Sequence, residues 1–167
     1  MIETNNIILN NTEISQKIRR IAYQIYEVNY KEPEIVIAGI ADNGYFLAEK
    51  IVSVLKEISD LKVILCKVTI NKKKPLTPIT TDIEKEIYKN KSVILVDDVL
   101  HSGTTLIYAI KHFLDVPLKK FKTAVLVNRN HKKYPVKADF KGISLSTSIK
   151  EHVVVEFKED EIIAYLQ

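Results

Sequence analysis

The stretch VILVDDVLHSGTTL, Val93 to Leu106, decides how this chain is read. Val93 to Val96 are aliphatic without polar alternation, the pattern of a strand buried on both faces. Two adjacent carboxylates, Asp97 and Asp98, end that run. Ser102-Gly103-Thr104-Thr105 then opens what reads as a helix from about Gly103 to Leu114, carried by Leu106, Ile107, Ile110 and Phe113. In open parallel sheets ligands bind beyond the carboxyl ends of the strands, where this acid pair falls. Vicinal carboxylates there suit a vicinal diol, or Mg²⁺ held directly or through its waters. The amides at the helix start, its dipole and the hydroxyls of Ser102, Thr104 and Thr105 suit a phosphate dianion. Gly103 lets the backbone approach it without a Cβ in the way. An acid pair after a strand can equally be a simple cap. Its combination with the Ser-Gly-Thr-Thr turn is what points to a sugar phosphate such as ribose 5-phosphate. The Gly-Lys-Ser/Thr of a Walker loop and the dinucleotide Gly-x-Gly-x-x-Gly pattern are both missing.

Working outward, strand and helix alternate. Ile14, Ile18, Ile21, Ile25 and Val28 form one helical stripe, with Asn10 as N-cap and Glu13 reaching back to it. EIVIAGI (Glu34–Ile40) reads as a buried strand; Leu47, Ile51, Leu55 and Ile58 mark a second helix. LKVILCKVTI (Leu61–Ile70), SVILVD (Ser92–Asp97) and KTAVLVN (Lys122–Asn128) read as further strands, and ADFKGIS and HVVVEF as short ones near the C-terminus. This alternation calls for right-handed crossovers and a mostly parallel α/β sheet covered on both faces. Residues 71–90, with two prolines, many charges and no period, break it and read as a flap. No internal repeat or second domain is visible, so residues 1–167 read as one domain.

Composition narrows the function classes. The chain is 46% hydrophobic and 28% charged, which is globular rather than disordered. No apolar run approaches the roughly 18 residues of a membrane span, and the N-terminus lacks the basic region of a secretory signal. Cys66 stands alone in an apolar run, so it reads as a buried structural thiol in a reducing cytoplasm. Net charge is +4, and Lys119 to Lys150 holds nine basic residues against one acid, Asp139. That region reads either as a solvated lysine surface or as a face for phosphate, on a nucleotide or on RNA. With only Arg19, Arg20 and Arg129 in the chain, little is available for bidentate base reading.

VILVDDVLHSGTT resembles the phosphoribosyl-pyrophosphate signature of the type I phosphoribosyltransferases. Within that superfamily the chain is most similar to the PyrR family, pyrimidine-operon attenuators with uracil phosphoribosyltransferase activity. IRRIAYQI (Ile18–Ile25), AVLVNRNHKKYPVKADFKG (Ala124–Gly142) and SLSTSIKEHVVVEF (Ser144–Phe157) are similar to that family's opening helix, its Arg-x-His and Ala-Asp-Phe segment, and its closing strand. The resemblance implies a Rossmann-like fold with a flexible flap and a small C-terminal hood. It implies that Asp97 and Asp98 bind the ribose hydroxyls of phosphoribosyl pyrophosphate, that Ser102, Gly103, Thr104 and Thr105 hold its 5-phosphate, and that Mg²⁺ bridges substrate oxygens. It also implies a homodimer or higher homo-oligomer.

Three departures from the family pattern bear on chemistry. Where relatives carry a basic residue in the turn that meets pyrophosphate, this chain has Ala41-Asp42-Asn43-Gly44, and Asp42 adds a negative charge beside a polyanion. VTINKKKP replaces the family's flap sequence, leaving Lys72, Lys73 and Lys74 as candidate contacts to the leaving group or as plain solvated charge. Asn128 stands where an acid usually precedes Arg129, a candidate residue on the base side. His101 reads either as a group that meets a base edge or moves a proton, or as a loop histidine facing solvent. Three functions follow: phosphoribosyl transfer to a nucleobase, with uracil expected; a nucleotide-sensing RNA-binding attenuator with weak or no turnover; and a purine-directed transferase of the same fold.

Overall fold

In the computed structural model, which describes residues 6–146 and 151–167, the acid-bearing strand lies inside a six-stranded sheet. The elements in chain order are β1 (Ile7–Leu9), α1 (Asn11–Asn29), β2 (Glu34–Ile40), α2 (Asn43–Ile58), β3 (Lys62–Thr69), β4 (Thr80–Thr81), α3 (Lys85–Tyr88), β5 (Ser92–Leu100), α4 (Thr104–Phe113), β6 (Lys120–Arg129), β7 (Phe140–Leu145), β8 (Val153–Phe157) and β9 (Ile162–Leu166). The main sheet runs β4-β3-β2-β5-β6-β7. All its neighbours pair in parallel except β4, which lies antiparallel on β3. A second, antiparallel sheet runs β1-β9-β8.

The unbroken apolar runs have a simple cause: each central strand is buried on both faces. Ile35, Ile37, Ile94 and Val96 point toward α1 and α2 and join their stripes in one core. Val36, Ala38, Val93 and Leu95 point the other way, against Tyr88, Leu106, Ala109 and Phe113. Cys66 lies in that second core, and burial pushes its thiol up to about 12, which makes it inert at neutral pH. The α1 capping box forms as expected: Asn10 Oδ1 accepts from the Glu13 amide and Glu13 Oε2 accepts from the Asn10 amide, each at 2.9 Å.

The end of α1 departs from the expected stripe. Val28 is exposed, and the core position is taken by Asn29, one residue on. The 3.6-residue period puts position 29 over Ile25, so a polar residue occupies the buried place. Its amide is satisfied: Nδ2 donates to the Ile25 carbonyl at 2.8 Å, and Oδ1 accepts from Ser92 Oγ at 2.7 Å. Ser92→Ala is therefore expected to strip a buried oxygen of its donor and cost about 1–3 kcal/mol. Urea unfolding with an unchanged m-value checks it; a loss under about 0.5 kcal/mol shows the pair to be neutral.

Other differences are tertiary. β5 runs on through both acids to Leu100 instead of ending at Asp97, because its pairing with β6 continues to Leu100↔Asn128. Part of the segment 71–90 is ordered structure: β4 caps the sheet edge, and Tyr88 is buried against Phe113 with ring centroids 4.8 Å apart. ADFKGIS supplies β7, the far edge of the main sheet, whereas HVVVEF supplies β8 of the second sheet, in which the other two strands, β1 and β9, carried no clear strand signal. Residues 147–150 of the closing family-like run, including Lys150 of the basic region, lie outside the described residues.

Candidate active site

β5 projects past its neighbour on one side. Its register with β2 stops at Gly39↔Val96, while that with β6 goes on through Asp97↔Val125. The acid pair thus stands at the carboxyl edge of the sheet, where a cleft of about 260 Å³ opens. Asp97, Asp98, His101 and the whole Ser102–Thr105 turn line it, together with Asn43, Lys72 and the β8 residues Val153, Val154 and Val155. The strand, the turn, one residue of the flap and the second sheet meet there.

Glycines permit this convergence. A Cβ on Gly39 would lie 2.5 Å from the Tyr45 Cα, and one on Gly44 would lie 2.7 Å from the Val96 carbonyl oxygen and 2.9 Å from the Asp97 Cα. The first turn of α2 consequently rests on the backbone of β2 and β5, directly over the acids. At the Ser102–Thr105 turn, Gly103 adopts φ +85°, a left-handed conformation that a side chain resists. Ser102 Oγ lies 2.8 Å from Thr104 Oγ1 and accepts from the Thr104 amide at 3.3 Å. The Ser102 carbonyl accepts from the amides of Lys133 and Tyr134 at 2.8 and 3.0 Å, so a distant loop pins the turn. The first helical bond of α4 is Ile107 to Gly103, which leaves the Thr105 and Leu106 amides ahead of it at the helix mouth.

The electrostatics are uneven. Asp97 is 4% exposed, and burial together with the Asp98 charge raises its carboxyl well above the ordinary range; Lys72 Nζ, 3.6 Å away, pulls the other way. Asp97 Oδ1 also accepts from the Asp98 amide at 2.9 Å. Asp98 is half-buried, and its Oδ2 accepts from Asn43 Nδ2 at 3.0 Å. Among the described residues no group of three or more His, Cys, Asp or Glu is gathered as a metal shell. The acid pair, with one lysine to offset a buried charge, still fits Mg²⁺, which takes one or two protein carboxylates and fills its shell with water and substrate oxygens.

The other expected residues separate. Lys72 reaches the cleft, but Lys73 and Lys74 do not; they are exposed, and their amides donate to Asn71 Oδ1 at 3.1 Å each, closing the loop's turn. Within Ala41–Gly44, Asn43 alone lines the cleft, Gly44 packs beneath it and Asp42 is exposed. Arg129 is buried, and its guanidinium donates to the Glu151 carbonyl at 2.5 Å and approaches His101 Nδ1 at 3.4 Å. Because arginine only donates, that contact leaves the imidazole proton on Nε2. Burial, then the Arg129 charge, lowers the His101 pKa, so the ring is neutral at neutral pH. His101 also borders a smaller hollow of about 190 Å³ with Ser102, Arg129, His131 and His152. Two features escaped the sequence: the Asn43 side-chain bonds and the wall made by Val153–Val155.

Comparison with known proteins follows the same lines. The family model described as the phosphoribosyl transferase domain matches residues 4–160. Curated relatives include the bifunctional protein PyrR of Clostridium beijerinckii, 33% identical over 95% of this chain and 93% of that protein. The bifunctional protein PyrR of Streptococcus mutans is 35% identical over 91% of this chain and 88% of its own length. Among solved structures, a hypoxanthine-guanine phosphoribosyltransferase from Bacillus anthracis superposes with TM-score 0.77 at 19% identity, covering 98% of this chain and 99% of that one. The hypoxanthine phosphoribosyltransferase of Trypanosoma cruzi has TM-score 0.77 at 14% identity, over 96% and 95%. The fold, the cleft at the end of β5 and a family match over nearly the whole chain agree: this protein belongs to the type I phosphoribosyltransferases, alongside the bifunctional PyrR proteins.

Proposed function

We propose that the protein transfers the 5-phosphoribosyl group of phosphoribosyl pyrophosphate to a nucleobase, uracil first, and releases pyrophosphate. The observation that carries this is the meeting of the acid pair, the Ser102–Thr105 turn and Lys72 in one cleft. A base nitrogen attacks the anomeric carbon as the bond to the pyrophosphate oxygen breaks, and the base gives up its N–H proton. Asp97 and Asp98 accept the ribose hydroxyls and hold Mg²⁺, directly or through water. The metal's contribution is charge neutralisation on the departing polyanion. The helix mouth and the hydroxyls of Ser102, Thr104 and Thr105 hold the 5-phosphate. Lys72 exchanges its contact with Asp97 for the leaving group, where its positive charge offsets the charge that develops on pyrophosphate. Neutral His101, backed by Arg129, faces the base. We take residues 1–167 as one domain with a flap near 71–90, working as a homo-oligomer in the cytoplasm; among the described residues no helix is long and apolar enough to cross a membrane.

A second reading is a nucleotide-sensing, RNA-binding attenuator with little turnover. It is favoured by the turn at Asp42-Asn43, which brings no basic side chain to the pyrophosphate. The cationic region supports it less than composition suggests. Lys119 and Lys120 are paired with Glu32 at 2.7 and 3.5 Å, and Lys137 lies 3.6 Å from Asp139.

One screen separates the readings. With phosphoribosyl pyrophosphate and Mg²⁺, uracil is expected to release pyrophosphate, while hypoxanthine and guanine are not. Release with a purine alone moves the assignment to the purine enzymes. No release with any base, alongside RNA binding that weakens steeply between 50 and 200 mM salt, roughly 10³-fold or more, establishes the attenuator instead.

A further inference from the structure

We propose that Asn43 is a positioning residue that joins the sugar-binding acid to the β8 wall of the cleft. Its single amide nitrogen donates twice, to Asp98 Oδ2 at 3.0 Å and to the Val155 carbonyl in β8 at 2.9 Å. Those partners lie 55 and 112 residues away in the chain and belong to different sheets. Both are acceptors, so only a side chain with two N–H donors at that point can satisfy them together; the asparagine amide has that number. The bond to Asp98 fixes the carboxylate's rotation, and the bond to Val155 holds β8 over the cleft. Phe46, one turn along α2, packs on Phe157 with ring centroids 5.7 Å apart, so the α2–β8 seam has an apolar fastening beside the polar one. Removing the amide should therefore loosen the wall and the acid locally without detaching β8. The consequence is that the acid and the opposite wall of the cleft are tied through one side chain.

The proposal rests on the cleft being the transferase site, and its test can fail independently of that reading. Asn43→Asp is nearly isosteric but sets a carboxylate against a carboxylate and a carbonyl, whereas Asn43→Ala only removes the bonds. If Asn43 positions both groups, the KM for phosphoribosyl pyrophosphate rises about tenfold in Asn43→Ala, with kcat changed less than about threefold. Asn43→Asp must then be worse than Asn43→Ala. A side chain that merely fills space reverses that order, with Asn43→Asp close to wild type, and this overturns the proposal. Should the unaltered protein turn over no base, the transferase reading falls by itself. Hydrogen exchange then still decides the matter. In the unliganded protein the amides of 153–157 should exchange faster in Asn43→Ala, faster again in Asn43→Asp, with those of β5 up to Val96 unchanged. Equal exchange in all three proteins overturns the positioning role.

Discussion

Asp97→Asn is expected to lower kcat/KM for phosphoribosyl transfer by about 10² to 10³ while leaving the fold at least as stable as before. The two effects share a cause. Asp97 is buried, and both its burial and the neighbouring Asp98 charge oppose its ionisation, with Lys72 3.6 Å away as a partial offset. Its carboxyl is raised in the folded protein, so it contributes stability that is full below the ordinary carboxylate range and is lost as pH rises through the folded value. A neutral amide cannot ionise and escapes that loss. The stability of Asp97→Asn relative to wild type should accordingly grow as pH rises from about 4 toward 8. The amide oxygen still accepts from the Asp98 amide, so local geometry survives. What disappears is the charge proposed to meet the ribose hydroxyls and Mg²⁺. Steady-state kinetics beside thermal melts at several pH values check both halves. Wild-type kcat/KM in Asp97→Asn would remove the acid pair from the site, and a melting temperature well below wild type would show its charge to be structural.

Gly44→Ala carries the largest expected effect on stability. In an exposed helix this change normally gains about 0.5–1 kcal/mol. Here the added Cβ would lie 2.7 Å from the Val96 carbonyl oxygen, 2.9 Å from the Asp97 Cα and 3.0 Å from Asp97 Oδ1. The nearest two obstacles are backbone, so no rotamer change relieves the clash, and α2 must lift from β5. The expected cost is about 3 kcal/mol, the upper part of the range for overpacked cores. Activity should fall with it, because lifting α2 carries Asn43 away from Asp98. Denaturant unfolding and turnover of the same sample test this. Stabilisation, as in a surface helix, would show that α2 stands off the strand.

Much of this was legible in the sequence because it is local. Unbroken apolar runs marked β2, β3, β5 and β6; a 3.6-residue stripe marked α1 and α2; and the Asn10–Glu13 spacing marked a cap that forms as read. The Ser102–Thr105 turn was legible for the same reason, since its glycine and hydroxyls act within a few residues of each other. Exceptions arose where a polar residue took a core place. The stripe was read to Val28, whereas Asn29 takes the core place with Ser92, 63 residues on, as its donor. Strand β1 is too short for a period, and β9 is set by its hydrogen bonds to β1 on one side and β8 on the other.

From residue types and spacing alone follow the parallel sheet, the apolar cover on both its faces, and an acid pair set ahead of a glycine turn that opens a helix. Burial and periodicity are written within a handful of neighbours, which is why these survive without coordinates. Tertiary structure alone decided which of three adjacent lysines meets Asp97, that Asp42 turns to solvent while Asn43 turns inward, and that β8 walls the cleft. Such choices are made by side chains far apart in the chain, brought within 3–4 Å by packing, and adjacent residues of the same type differ only in where the backbone points them.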